Sequence, residues 1–254
     1  MAKIEEIYEA IDKISPFSSA MDFDNVGLIV GSKNSETENV LIALDITNAV
    51  IDEAIKLNAK LVISHHPIIF NPIKSLDERD IPYMLAKNGI AAICAHTNLD
   101  IAKMYGVNAA LAKVLGLVNI RCEPLSDGFA LFFGEIPKES EPKAFAEYVK
   151  SMLNADSVSC HLADKAVKTV ALCSGAGGDY LDLAEKMGVD AFVTGEMKHN
   201  ERIDAARLNM TVIAAGHYET EKIFGENLAE ILIKKVKGVN FFISEEETSP
   251  FEHI

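Results

Sequence analysis

The chain has 254 residues, of which 49% are hydrophobic and 24% are charged. This length is sufficient for one large domain or for two lobes with their own cores. No segment approaches the run of about 18 to 20 apolar residues that a membrane-spanning helix requires, and the acidic N-terminal segment is unlike a signal peptide. We therefore predict a cytoplasmic protein.

The charge and the cysteines exclude two further classes of protein. The 24 basic and 38 acidic residues give a formal net charge of −14, which argues against broad electrostatic binding to nucleic acid or anionic lipid. The four cysteines contain no C-x-x-C pair, which argues against a zinc ribbon or a disulfide framework. We interpret them as reduced thiols of the core: Cys94, Cys122, Cys160 and Cys173.

The first half of the chain has the pattern of an α/β protein. Isoleucines share one helical face over residues 3–14 and predict an amphipathic helix. Acidic and amide side chains crowd residues 21–28, which we interpret as a loop. Apolar periodicity then predicts strand 40–46, helix 49–57, strand 61–64, helix 81–87 and strand 90–95. This βαβαβ order indicates parallel strands that are joined by right-handed crossovers.

The second half repeats the order of elements but not the residues. It predicts strand 169–173, helix 179–187, strand 191–194, helix 200–208 and strand 211–215. Before them we expect a lobe boundary at 121–128, strand 129–136 and helix 142–153 with Ser140 as its N-cap; after them come a helix through 231–233, strand 239–243 and a solvated acidic tail at 245–247. The expected fold is therefore α/β with two interlinked lobes, 1–124 and 125–254, each with a mostly parallel sheet covered by helices.

Histidines follow the predicted strands at the edge where open α/β sheets bind ligands. The run Leu61–Pro67 ends in His65 and His66, and five of the seven histidines stand at such strand ends. A single histidine there is commonly a satisfied polar residue. The clustering instead favours metal binding, because neutral imidazole is the commonest metal ligand.

Carboxylates accompany these histidines at a fixed interval. Asp100 follows His96 by four residues, and Glu221 follows His217 by four, so that a helix starting near Tyr218 would place that pair on one face. Five metal ligands are predicted: His65, His66, Asp100, His217 and Glu221. Five ligands exceed what one tetrahedral zinc ion takes from protein, so we expect two divalent ions, which favours hydrolysis by metal-activated water. Zinc, iron, manganese and nickel all suit this ligand set.

Other polar residues at the strand ends leave alternatives open. Glu196 and His199 either orient ligands and move protons, or are a helix-terminal acid and a surface histidine. The glycine-rich segment Ser174–Gly178 is either an anion-binding nest or a plain tight turn, since it lacks the lysine of a P-loop. His161 and His253 receive no role.

These segments together resemble the NGG-interacting-factor-three-like family, whose members carry the name GTP cyclohydrolase I type two. The similar segments span nearly the whole chain: Asp24–Leu28, Ser64–Pro67 with Phe70, His96–Asp100, Cys173–Gly177, Thr194–Glu196 with His199, and Gly216–Glu221. Two departures stand out. Phe23 replaces a tryptophan that is usual in the family, and residues 126–130 replace a segment rich in glycine and arginine. The domain inserted in longer members is absent.

The resemblance implies a two-lobed subunit with a dimetal centre in the cleft, commonly in a ring-shaped homohexamer, and it assigns the ligand roles to the same five residues. The reaction it implies opens the imidazole ring of a purine. We therefore expect a dimetal-dependent hydrolase for a nucleotide or related phosphorylated small molecule, with Glu196 or His96 as the proton shuttle. The alternative is a non-catalytic metal-binding, metal-chaperone or scaffold protein that forms a ring.

Overall fold

The structure is a computed structural model that describes residues 1–125 and 129–251. Its α-helices are α1 (Ile4–Ile14), α2 (Asn48–Lys56), α3 (Ile81–Lys87), α4 (Thr97–Asp100), α5 (Val107–Val114), α6 (Pro142–Met152), α7 (Leu181–Lys186), α8 (His199–Ala205), α9 (His217–Glu221) and α10 (Ile223–Lys235). Its strands are β1 (Ala2–Lys3), β2 (Gly27–Val30), β3 (Glu36–Thr37), β4 (Asn39–Ala43), β5 (Leu61–Ser64), β6 (Ala91–Cys94), β7 (Val118–Pro124), β8 (Ala130–Ser140), β9 (Ser159–His161), β10 (Val167–Cys173), β11 (Ala191–Thr194), β12 (Thr211–Ala214) and β13 (Asn240–Ile243).

The chain forms two compact units. The first unit consists of residues 1–105 and 224–248, and the second contains residues 106–223. These units differ from the predicted ranges 1–124 and 125–254 for two reasons. Strand β13 pairs with β4 and returns the C-terminal segment to the first unit, while α5 packs on β7, β8 and β10 of the second.

The first unit is built on a five-stranded sheet of order β13-β4-β5-β6-β2. The pairs β13–β4, β4–β5 and β5–β6 are parallel, and β2 joins β6 as an antiparallel edge strand. Helices α2 and α3 cover one face, where Val50, Ile51 and Leu85 pack on Leu41 and Val62. Apart from Asn39, every residue of the central strands β4, β5 and β6 is buried, which explains their almost continuous apolar sequence.

The second unit is built on a six-stranded mixed sheet of order β7-β8-β10-β11-β12-β9. Among the described strands of this sheet only the pairs β10–β11 and β11–β12 are parallel, as predicted for 169–173, 191–194 and 211–215; the pairs β7–β8, β8–β10 and β9–β12 are antiparallel. Phe132, Phe145 and Phe192 are among its largest fully buried side chains. The predicted parallel repeat is thus confined to the middle of this sheet.

Several local predictions are corrected. Ser140 is the last residue of β8, and Glu141 occupies the N-cap position of α6. Cys94 and Cys173 are buried as predicted, but Cys160 is exposed on the edge strand β9. The departure from the family at 126–130 falls mostly on residues 126–128, which lie outside the described residues, as does His253. Within the described ranges, no helix is long and apolar enough to cross a membrane.

Candidate functional site

The parallel strands of the first unit end side by side. Ala43 of β4 is in register with Ser64 of β5, which is in register with Cys94 of β6. The residues after them therefore emerge at one edge of the sheet, as expected for parallel strands. This shared register brings the side chains after β4, β5 and β6 into one cluster.

His65 and His66 directly follow β5, and a neighbouring oxygen contacts Nδ1 of each ring. Nδ1 of the fully buried His65 lies 2.8 Å from the carbonyl oxygen of Ala95, and Nδ1 of His66 lies 2.9 Å from Oδ1 of Asp45. In the neutral imidazole these contacts place the proton on Nδ1, so that Nε2 carries the lone pair. Metal-ligating histidines are oriented in this way.

His96 follows β6 and is held by Asp24, a residue that the sequence placed in a loop. Oδ1 of Asp24 accepts from Nδ1 of His96 at 3.0 Å, and its Oδ2 accepts from the backbone N–H of Thr97 at 3.0 Å and the hydroxyl of Thr97 at 2.6 Å. Burial acts to raise the pKa of Asp24, but hydrogen bonds from His96 and Thr97 outweigh it and lower the pKa to about 2. Asp24 is therefore a fixed anion behind His96.

The three imidazoles of the first unit lie close enough to share a ligand. One ring nitrogen from each of His65, His66 and His96 lies within 4.8 Å of the others. Nε2 of His65 also lies 3.4 Å from Oδ1 of Asp100, which is buried at the end of α4. Donor atoms on one tetrahedral ion with bonds of 2.0–2.1 Å stand about 3.4 Å apart, so these residues fit a divalent cation after small adjustments.

Cys94 adjoins the cluster without the properties of a metal ligand. Its thiol donates to the carbonyl oxygen of His65 at 3.1 Å. Burial first, and then the negative charges of Asp24 and Asp100, raise the pKa of Cys94. Because a thiol ligates as the thiolate, Cys94 is a packing residue here, in agreement with the prediction of a core thiol.

The second unit carries a smaller cluster at the corresponding strand ends. Cys173, Thr194 and Ala214 are in register across β10, β11 and β12. As predicted, His217 and Glu221 share one face of a short helix, α9, with Nε2 of His217 3.0 Å from Oε2 of Glu221.

Glu196 contacts the opposite nitrogen of the same ring. Its Oε2 lies 3.4 Å from Nδ1 of His217, and its side chain is 60% exposed. Glu196 thus stands behind His217 as Asp24 stands behind His96. His199, the other predicted candidate here, is exposed at the first residue of α8.

The segment Ser174–Gly178 is a tight turn whose backbone N–H groups are used internally. The amide of Ser174 donates to Asn108 at 2.7 Å, that of Gly175 to Thr220 at 3.1 Å, and that of Gly177 to Thr194 at 3.0 Å. Three of the amides that an anion-binding nest would present are therefore committed elsewhere. This arrangement favours the plain turn over the nest.

Gly175 is required at this turn by the neighbouring carboxylate. Its φ is +60°, and a Cβ built there would overlap Oε1 of Glu221 and stand 3.2 Å from Nε2 of His217. A glycine therefore allows the backbone to pass directly against both predicted ligands. Sequence reasoning missed this role, because the spacing of glycines does not reveal what packs against them.

The two clusters share a chemical signature. In both, a histidine is held through Nδ1 while its Nε2 faces a carboxylate oxygen, at 3.4 Å for His65–Asp100 and 3.0 Å for His217–Glu221. If the proton is on Nδ1, two lone pairs face each other, and either a second proton or a cation must lie between them. The first cluster, with three histidines and Asp100, therefore suits a bound divalent metal, and the second cluster offers two donors of the same kind.

An α/β protein with histidine–carboxylate clusters at its strand ends belongs to the class of candidate metal-binding proteins. Comparison with known families is specific. The family model for Duf34/NIF3 (NGG1p interacting factor 3) matches residues 2–250, and the chain belongs to this family. The resemblance seen in the sequence is thereby confirmed.

Similar proteins extend over nearly the full chain. A Clostridium acetobutylicum protein named GTP cyclohydrolase 1 type 2 homolog is 31% identical and covers 98% of each chain. A Helicobacter pylori protein named GTP cyclohydrolase 1 type 2 is 30% identical, covering 91% of this chain and 92% of its own. The crystal structure of Staphylococcus aureus hypothetical protein SA1388 matches with a TM-score of 0.91 at 31% identity over 99% of both chains. The predicted α/β fold class is thus confirmed.

Proposed function

We propose that the protein is a dimetal-dependent hydrolase that acts on a nucleotide or a related phosphorylated small molecule. The observation that carries the proposal is the fixed orientation of the histidines, whose Nε2 atoms face carboxylate oxygens in each unit. The name of the Helicobacter pylori relative supports a nucleotide substrate. The proposed ligands are His65, His66, Asp100, His217 and Glu221.

The chemistry proposed for the ions is the activation of water. A bound divalent ion lowers the pKa of a coordinated water to about 7, which makes hydroxide available at neutral pH. The side chains supply orientation. Ala95 and Asp45 fix the rings of His65 and His66 through Nδ1, so the lone pairs are aimed before any ion arrives.

Proton movement is proposed for His96 and Glu196. His96 can accept a proton at Nε2 while Asp24 holds Nδ1–H and stabilises the resulting imidazolium. Glu196 is largely exposed and lies against Nδ1 of His217, so it can exchange protons with solvent while orienting that ring. His96 also suits the role of a third nitrogen ligand, and the two roles are separated by metal stoichiometry in His96→Ala.

Metal analysis and a hydrolysis screen test this proposal. Purified protein is expected to contain two equivalents of divalent metal and to hydrolyse a member of a panel of nucleotides and phosphoesters. His65→Ala and Glu221→Ala should abolish turnover while the protein remains folded. His199→Ala and Glu185→Ala, which change exposed residues on α8 and α7, are matched controls that should retain it.

The metal content of the variants tests the ligand assignment. His65→Ala and Glu221→Ala should each contain less divalent metal than the unchanged protein. An unchanged metal content in both variants would overturn the assignment. Stoichiometric metal in the unchanged protein with no turnover of the panel would overturn the hydrolase and favour a non-catalytic metal-binding or scaffold protein.

We further propose that the protein is cytoplasmic and that it forms the ring-shaped homohexamer that the family resemblance implies. Size-exclusion chromatography with light scattering measures the assembly, and a monomer at micromolar concentration would contradict it. Variants in the metal clusters should leave the assembly unchanged.

A further inference from the structure

The C-terminal tail is bound to the first unit beyond its last strand. After β13, the amide of Ser244 continues the parallel ladder by donating to Ile42 of β4 at 2.8 Å. The hydroxyl of Ser244 and the amide of Glu245 then donate to the two carboxylate oxygens of Glu53 on α2. Glu245 and Glu246 are exposed, as predicted for a solvated acidic tail, but the backbone of the tail is fixed and Glu247 is half-buried.

At the end of the tail, Glu247 binds a backbone amide beside the histidine cluster. Oε2 of Glu247 accepts from the N–H of Leu44 at 2.6 Å. In a continued parallel ladder this N–H would bond to the main chain of the neighbouring strand. A carboxylate from the tail takes the place of that acceptor, one residue beyond the end of β4.

Leu44 connects Glu247 to the predicted ligands. Its carbonyl oxygen accepts from the backbone N–H of His65 at 3.2 Å and from that of His66 at 3.0 Å. The next residue, Asp45, holds Nδ1 of His66. The Leu44–Asp45 segment thus binds Glu247 through the N–H of Leu44. It supports both histidines through the carbonyl of Leu44 and the side chain of Asp45.

The charge of Glu247 is also sensitive to the cluster. Burial raises the pKa of Glu247 to about 7; the hydrogen bond from Leu44 opposes the rise, the negative charge of Asp45 adds to it, and His66 and His65 oppose it when they are protonated. The carboxyl group of Glu247 is therefore close enough to interact electrostatically with Asp45 and both histidines.

We propose that Glu247 is a positioning residue for metal binding: the C-terminal tail, residues 244–247, fixes the Leu44–Asp45 segment and through it the orientation of His66. This inference rests on the proposed role of His66 as a metal ligand. In the proposed arrangement the tail supplies no metal ligand. Glu247 acts only through Leu44 and Asp45.

Zinc affinity of variants tests the inference, measured on the full chain by competition with a chromophoric chelator. Glu247→Ala should raise the dissociation constant for zinc about 10- to 100-fold, as is typical for the loss of a group that orients a ligand. Glu247→Gln keeps an acceptor for the Leu44 amide and should restore an affinity close to that of the unchanged protein. Glu246→Ala is the matched control. Glu246 is the neighbouring acidic residue, but it is exposed and contacts Lys56 at 4.0 Å, not the Leu44 amide.

The outcomes separate this inference from the proposed function. If the unchanged protein binds none of zinc, iron, manganese and nickel, the proposed function fails. If it binds zinc and folded Glu247→Ala binds equally well, only the inference fails. A lower melting temperature in Glu247→Ala with unchanged zinc affinity would show a purely structural role and would also overturn it. If Glu247→Ala does not fold, Glu247→Lys and Glu247→Leu, which also remove the acceptor for the Leu44 amide, provide the same comparison, and equal affinity in the variant that folds counts against the inference.

Discussion

Replacing Gly175 by alanine should impair metal binding far more than it impairs folding. An alanine at φ +60° costs about 1–2 kcal/mol in backbone strain. The added Cβ would stand 3.1 Å from the carboxyl carbon of Glu221, which must therefore retreat by roughly 1 Å to an ordinary van der Waals separation. The end of a glutamate side chain can make that movement at little cost to folding. A ligand displaced by this distance no longer completes a metal site.

Gly188 provides the matched control for this substitution. It lies in the same unit at φ +69°, and a Cβ there meets nothing within 4 Å. Gly175→Ala and Gly188→Ala should therefore lose similar free energies of unfolding in urea with chelator present. Zinc affinity should fall only in Gly175→Ala. Normal zinc binding in Gly175→Ala, or an equal loss in both variants, would refute the placement of Glu221 as a ligand beside this turn.

Three further outcomes are expected. Asp24→Ala removes the carboxylate that accepts hydrogen bonds from His96 Nδ1 and from two donors of Thr97, and it should lower the free energy of unfolding by about 3 kcal/mol. Asp22→Ala, which changes an exposed residue nearby, should have a negligible effect. Equal effects of the two substitutions would contradict this prediction. For Glu247, a folded-state pKa of about 7 against 4.5 means that stability is present below pH 4.5 and lost as the pH rises through 7. This loss is at most about 3 kcal/mol, and it is smaller because the carboxyl group is partly exposed. Glu247→Gln should remove it, which thermal unfolding of both proteins at pH 5 and pH 8 with chelator present would measure. The same loss of stability between pH 5 and pH 8 in both proteins would show that this prediction is wrong. Zinc at 100 times its dissociation constant should stabilise the protein by about 2.7 kcal/mol, and a melting temperature that does not respond to zinc or chelator would count against a folded-state metal site.

The candidate ligands were predictable because the strands that carry them are buried on both faces. The apolar run Leu61–Ser64 identifies β5 without ambiguity, and the register of β4, β5 and β6 then determines which side chains meet beyond the strand ends. The helical interval between His217 and Glu221 is a local signal of the same kind. Such signals need only neighbouring residues, and they place the candidate ligands of each unit at the strand ends.

The supporting residues were not predictable, since their partners are remote in sequence. Asp24 reaches His96 across 72 positions and Glu247 reaches Leu44 across 203. Neither stands in a periodic segment. The short edge strand β9 and the exposed strand β7 lack an alternating pattern, so the second sheet was expected to be more parallel than it is. The sequence pattern of a strand or helix indicates which of its residues are buried. The contacts of Asp24 and Glu247 and the pairing of β7 and β9 depend instead on which distant segment packs beside them.

The pairing of β13 with β4 has a consequence for truncated chains. A chain that ends before residue 240 contains all of residues 106–223 of the second unit but lacks the edge strand that completes the first sheet. Since domains fold as units, the second unit can reach its native state in such a chain while the first cannot complete its sheet. A truncated chain should therefore protect the second unit from protease and leave the first one open to cleavage.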